Sequence, residues 1–151
     1  MVDKAFDADH HQPQALDDRE RAWLATDVGF IGSFERDRVA NMQFLAQHNV
    51  PVRIRGNGWG SYRPQEDNLV IERRALVNTA DNALYSKAIG VTKVTLAFLR
   101  KANRDLHTDR SIEIPACGGF LMAEYSEEHA RLFVEDREAV FSDPARNFWS
   151  K

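Results

Sequence analysis

The residues best equipped for chemistry gather in one stretch, Asn103 to Glu124, which reads Asn-Arg-Asp-Leu-His-Thr-Asp-Arg-Ser-Ile-Glu-Ile-Pro-Ala-Cys-Gly-Gly-Phe-Leu-Met-Ala-Glu. Its pattern predicts a polar loop, a short helix opening at Thr108, a small-residue stop at Ala116-Cys117-Gly118-Gly119, and an apolar strand from Phe120 to Ala123. The first turn of a helix leaves backbone N–H groups without helical partners, and the helix dipole adds positive potential there, so this unit favours a phosphate. Glu113 falls just over one turn into the helix. Pro115 removes one internal hydrogen bond, which predicts a helix that is short or bent at that point.

Four other features invite chemistry and read better as structure. Cys117 is the single cysteine, so no internal disulfide forms and a reducing compartment is expected. It lies among small residues with no assigned base nearby, which favours packing over nucleophilic attack. Asp105, His107 and Asp109 alternate as metal ligands might be spaced, and Asp7-Ala8-Asp9-His10-His11 is also ligand-rich. No partner cluster accompanies the first set, for which a structural or substrate-contact role is expected, and the second sits in an acidic, Pro-interrupted lead that reads as linker. Gly56-Asn57-Gly58-Trp59-Gly60 resembles a dinucleotide fingerprint, but a phosphate fingerprint should open a helix. Here Ser61 to Asp67 reads as loop, so a tight turn is expected.

The elements that must position these residues follow from hydrophobic periodicity. Val28 to Ile31 is a short strand ended by Gly32-Ser33, Arg38 to Gln47 a helix with Val39, Met42 and Leu45 at three-residue steps, and Val50 to Arg55 a second strand. This strand-helix-strand unit implies parallel pairing and a right-handed crossover. Leu69 to Val77 holds another short strand. Asn82 to Thr92 is a helix, with Leu84 and Ala88, and Tyr85 and Ile89, at four-residue steps. Val94 to Leu99 is apolar on both faces, as a central strand covered on both sides should be. The loop after it, Arg100 to His107, is where open α/β sheets bind ligands. Glu127 to Val134 predicts a helix burying Ala130, Phe133 and Val134, and Ala139 to Phe141 a last strand. The fold class is therefore α/β, a doubly wound, mostly parallel sheet.

Composition sets outer limits. With 151 residues, 43% of them hydrophobic, the chain can bury the core of one domain. A net charge of -3 gives no general attraction to nucleic acid or to an anionic membrane, so any anion site must be local. No apolar run reaches the length of a membrane span, the first twenty residues are too acidic and polar for a signal peptide, and a cytoplasmic location is expected. Residues 1–26 form a polar lead, and the domain proper is expected over 27–151.

The central stretch resembles retaining glycosyltransferases of the GT-B fold. Those enzymes carry two acids separated by seven residues, the second opening a Glu-Ala-x-Ala-Cys-Gly type segment. Here Asp105 and Glu113 stand at that separation, with Ile-Pro-Ala-Cys-Gly after the second and Asp in place of the usual first Glu. The string from Phe98 to Leu121 is more specifically similar to the CgeB-like, spore-maturation type. The resemblance covers about residues 5 to 142 and is strongest from Ala88 onward. Ala5 to His10 matches the segment entering the second domain from the hinge. It implies the donor-binding, C-terminal-type half of a two-domain enzyme, lacking the usual closing helices. The donor is a nucleotide-diphosphate sugar, and a separate N-terminal domain supplies an acceptor of unknown identity. By that resemblance Glu113 holds the ribose hydroxyls and Asp105 approaches the sugar. The diphosphate rests on amides near His107 and Thr108, with charge from Arg110 and from Arg38 in the loop and helix after Gly32-Ser33. No metal cofactor is implied. Trp59 would lie near the base or simply pack. The alternatives are a nucleotide-binding module without turnover and a receiver-like interaction domain. The latter needs an acidic pair after the first strand and an acceptor Asp at the end of the central one, whereas here those strands end in Gly32-Ser33 and Leu99-Arg100.

Overall fold

The computed structural model of the chain describes residues 6–72, 83–99 and 106–142. Among them lie six strands, β1 (Thr26–Ile31), β2 (Val52–Arg55), β3 (Leu69–Glu72), β4 (Thr92–Ala97), β5 (Leu121–Glu124) and β6 (Ala139–Ser142). Five helices accompany them: α1 (Asp18–Leu24), α2 (Arg36–Gln47), α3 (Ala83–Gly90), α4 (Asp109–Ala116) and α5 (Glu127–Leu132). The strands form one sheet in the order β3-β2-β1-β4-β5-β6, and every neighbouring pair is parallel. This is a doubly wound, Rossmann-like α/β fold, as the alternating periodicity predicts. Among the described residues, no helix is long and apolar enough to cross a membrane.

The two faces of the sheet are filled by alternate residues of the same strands. In β1, Val28 and Phe30 join Met42 and Leu45 of α2, with Leu96 and Phe98 from β4 and its end, in one cluster. Ile31 and Ala97 point the other way and join Ile89 of α3, Ile114 of α4 and Leu24 of α1. The helices that follow β1 and β4 thus cover opposite faces.

Several elements depart from the sequence expectation. The helix expected from Arg38 begins two residues earlier, at Arg36. The polar lead contains α1, closed by a capping box in which Asp17 accepts from the Glu20 amide and Glu20 from the Asp17 amide. That helix packs on the sheet: Leu24 has no exposed surface, and Lys87 of α3 reaches Glu20 at 2.6 Å. The alternation Val-Arg-Ile-Arg in β2 is explained by α1. Arg55 Nη2 donates to the Leu24 carbonyl at 3.0 Å, Arg53 Nη1 donates to the Trp23 carbonyl, and Trp23 Nε1 donates to Glu72 at 2.9 Å. The carbonyls left over at the end of α1 are thereby satisfied by arginines from the strand beneath. In α5 the expected face is corrected. Ala130 and Val134 are exposed, while His129 is the residue turned fully inward. The helix is too short for an apolar stripe to dictate its seating, and hydrogen bonds to His129 do so instead.

The Gly-Gly stop has a definite geometry. Gly118 takes a left-handed φ of 77°, its amide donates to the Pro115 carbonyl at 2.9 Å, and the Gly119 amide donates to the Ile114 carbonyl at 2.9 Å. This is the Schellman closure of α4. A side chain on Gly119 would place its Cβ 2.4 Å from Cγ2 of Ile89, so the second glycine lets α4 and α3 pack closely. Pro115 sits in the last turn of the helix, where little remains for it to disrupt.

Candidate functional site

The neighbouring strands β1 and β4 send their following helices to opposite faces, so a crevice opens beyond their carboxyl ends, where doubly wound sheets bind ligands. A pocket of about 150 Å³ lies there, lined by Glu35, Asp37, Arg38 and Asn41 from the β1 side and by Phe98, Leu99 and Glu124 from the β4 and β5 ends. The Glu124 carboxylate accepts the Leu99 amide at 2.7 Å, which ties the chain leaving β4 to β5.

On the β1 side the predicted residues are built into the scaffold. The Gly32 amide donates to the Arg55 carbonyl at 2.8 Å, and its carbonyl accepts Trp59 Nε1 at 2.9 Å. Gly56, at φ 135°, would put a Cβ 2.3 Å from that carbonyl oxygen, so only glycine allows the loops after β1 and β2 to touch. Trp59 is buried against Phe30 and Phe34 and packs rather than flanking an open site. The Ser33 carbonyl accepts Arg38 Nη1 at 3.1 Å. Arg38 itself is buried, 2.9 Å from the Glu35 carboxylate and 5.5 Å above the Phe30 ring. It reaches the pocket with a carboxylate already beside it, so a phosphate there would compete with Glu35.

On the β4 side Asp105 lies outside the described residues. His107 Nδ1 pairs with the Glu128 carboxylate of α5. Thr108 caps α4 as predicted, yet its own amide donates to Ser111 Oγ at 3.2 Å. That hydroxyl meets His129 Nε2 at 2.7 Å, and His129 Nδ1 lies 2.7 Å from the Glu124 carbonyl. A carbonyl only accepts, so Nδ1 carries the proton, Nε2 is the acceptor, and Ser111 donates to it. Burial lowers the His129 pKa, which keeps the ring neutral for this role. The start of α4 is thus fixed to the end of β5 by a relay the sequence did not announce, since Ser111 and His129 are eighteen residues apart.

Glu113 is the centre of a second group. Tyr85 of α3 donates to its Oε2 at 2.5 Å, and His11 Nε2 stands 3.7 Å from its Oε1. Burial, with the Glu113 charge, pushes the Tyr85 phenol far above its usual value, and the nearby Arg110 charge opposes this in part. Arg110 and Glu113 are three apart on α4 and share a face. Cys117 is buried and donates to Ser86 Oγ at 3.3 Å, and desolvation raises its pKa, so it packs and is no nucleophile.

A family model described as glycosyl transferase-like matches residues 37–151, about three quarters of the chain. The chain belongs to the glycosyl transferase-like family. No curated protein matches it. The matched span of this glycosyltransferase domain takes in Arg38, Asp105, His107, Thr108, Arg110 and Glu113, and leaves out Gly32, Ser33 and the lead that carries His11. Sequence reasoning placed Tyr85 on the correct helix, by its four-residue step to Ile89, but gave it only a packing role. His11 was read as linker. Neither has a local signal, because their partner lies far along the chain and only the crossover of α3 and α4 brings them together.

Proposed function

We propose that this glycosyltransferase domain is the donor-binding half of a GT-B enzyme of the CgeB-like type, holding a nucleotide-diphosphate sugar whose glycosyl group passes to an acceptor seated by another domain. The observation that carries this reading is the pair on α4: Glu113 offers a carboxylate, and Arg110 offers a cation on the same face, closer to the helix start. The two are about one helical turn apart, roughly 5 Å along the axis, a spacing suited to one ribose 5′-phosphate unit. Glu113 accepts the ribose hydroxyl protons. The diphosphate lies toward the start of α4, where the dipole and Arg110 balance its charge, and Arg38, which lines the pocket beyond β1 and β4, would add charge from the β1 side. Asp105, in the loop between β4 and α4, approaches the sugar. Binding needs no divalent cation on this reading, because helix amides and arginines supply the counter-charge.

Titration calorimetry with ribonucleoside diphosphates, with and without chelator, tests it. Glu113→Ala should weaken binding roughly ten- to hundredfold, the loss of hydrogen bonds to a charged group at about 1.5–3 kcal/mol. Glu127→Ala is the matched control, since Glu127 is exposed and pairs only loosely with Arg131; Glu124 is unsuitable because it holds the Leu99 amide. Unchanged affinity in Glu113→Ala would refute the ribose assignment, and loss of binding on chelation would refute the metal-free one.

A further inference from the structure

We propose that His11, in the segment ahead of α1, completes the nucleoside side of the Glu113 site and sets its preference for ribose over 2′-deoxyribose, with Tyr85 as the residue that positions the carboxylate. This role presupposes Glu113 as the ribose acceptor.

The segment is held on the domain at several points. The His10 carbonyl accepts the buried Ser86 hydroxyl at 2.5 Å, Pro13 lies against Gly118, where a Cβ would be 3.4 Å from Pro13 Cγ, and Leu16 packs against the core. Between these anchors the chain turns on Asp7, whose carbonyl accepts the amides of His10 and His11 at 3.2 and 2.7 Å. The Asp7 amide donates to His11 Nδ1 at 3.0 Å. Nδ1 is therefore the acceptor nitrogen of the neutral ring, and Nε2 carries the proton. That N–H faces Glu113 Oε1 across 3.7 Å, too far for a hydrogen bond between them. The other carboxylate oxygen is committed to Tyr85, whose ring also meets the His11 ring edge-on at 5.7 Å.

One carboxylate oxygen is thus fixed, and the second stands beside an N–H donor without closing on it. A hydroxyl is the group suited to such a pair, since it can accept from His11 Nε2 and donate to Glu113 Oε1 together. A phosphate would be repelled by the carboxylate, and with the 2′-hydroxyl seated there a 2′-deoxy sugar, which keeps only its 3′-hydroxyl, forms neither bond. The phenol of Tyr85 stays protonated throughout the working range because burial and the adjacent carboxylate both disfavour its ionised form, so it is a permanent donor that locks Glu113 in one orientation.

The test measures the affinity of the full chain for UDP, ADP, GDP and CDP and for their 2′-deoxy counterparts. The ribose preference is taken as a ratio within each variant, so that a change in stability cancels. The parent should prefer a ribonucleotide roughly ten- to hundredfold, the worth of about one charge-assisted hydrogen bond. His11→Ala should reduce that ratio severalfold, the remaining preference coming from the bond the hydroxyl still donates to Glu113. His11→Phe, which keeps the ring against Tyr85 but has no donor, should do the same, and His11→Gln, whose amide nitrogen can take the place of Nε2, should restore most of it. Tyr85→Phe should lower the ratio in the parent and have no effect on it in Glu113→Ala. If Glu113→Ala abolishes the preference while both His11→Ala and His11→Phe keep it, His11 merely anchors the segment and the inference fails while the proposed function stands. If the parent binds no ribonucleotide, or Glu113→Ala changes nothing, both fail.

Discussion

At His129 a single ring ties three elements: it accepts from Ser111 of α4, donates to the carbonyl that ends β5, and stacks on Phe141 of β6 at an interplanar angle of 12°. Acceptance from Ser111 requires the neutral form, since both ring nitrogens of the charged form are donors. Burial lowers its pKa below the ordinary 6.5, so the unfolded chain binds the proton more readily than the folded one. The stabilisation is complete above the unfolded value and is lost as pH falls below about 6.5 toward the depressed folded value. Urea unfolding at pH 7.5, 6.5 and 5.5 should show stability declining across this window, and His129→Gln, which keeps polar atoms but cannot titrate, should flatten that decline. An equal slope in both proteins would remove His129 as its source. The contrast with Glu113 shows what a sequence can reveal at this scale. The place of Glu113 on a short helix was legible because the start and stop of that helix are local. His129, Tyr85 and His11 were not, because each gains its meaning from a partner on another element.

Among the elements, α4 was read most closely, since a helix with a Thr cap and a Gly-Gly end carries both its signals in its own residues. The same logic yields a graded prediction. Gly118→Ala asks a side chain to adopt φ 77° and should cost about 1 kcal/mol. Gly119→Ala forces a Cβ onto Ile89 and should cost more, about 1–3 kcal/mol by overpacking. Chemical denaturation of both variants checks the order, and the reverse order would mean that α3 yields readily. Strands β1, β2, β4 and β6 were also legible from apolar runs, although the arginines in β2 had no visible reason before α1 was placed. The helix α1 was missed because its inward residues, Trp23 and Leu24, are adjacent and give no helical periodicity, and the buried face of α5 was misread because a histidine replaces the expected apolar stripe.

For the molecule as a whole, the lead before residue 27 and the sheet are energetically joined. Burial brings the Arg55 guanidinium pKa down to about 10, still charged at neutral pH, and its acceptor at the end of α1 is a carbonyl from that lead. Deleting residues 1–25 removes this acceptor and the fully buried Leu24, and should cost on the order of 3 kcal/mol or more. Differential scanning calorimetry should show Tm falling by roughly 10 °C; an unchanged Tm would make the lead a mere linker. The isolated domain should also bind a nucleoside diphosphate yet transfer sugar slowly or not at all, because one wall of a cleft neither excludes water nor aligns an acceptor. Product analysis under multiple turnover tests this, and rapid transfer to a defined acceptor would overturn it. The strand order has a further consequence during synthesis. Thr26 of β1 pairs with Thr92 of β4, so one edge of β1 waits for about 66 more residues to be translated. At 5–20 residues per second that is roughly 3–13 s. Throughout that interval the nascent half-sheet presents an unpaired strand edge, so the first half of the chain is the part most exposed to wrong pairing before β4 arrives.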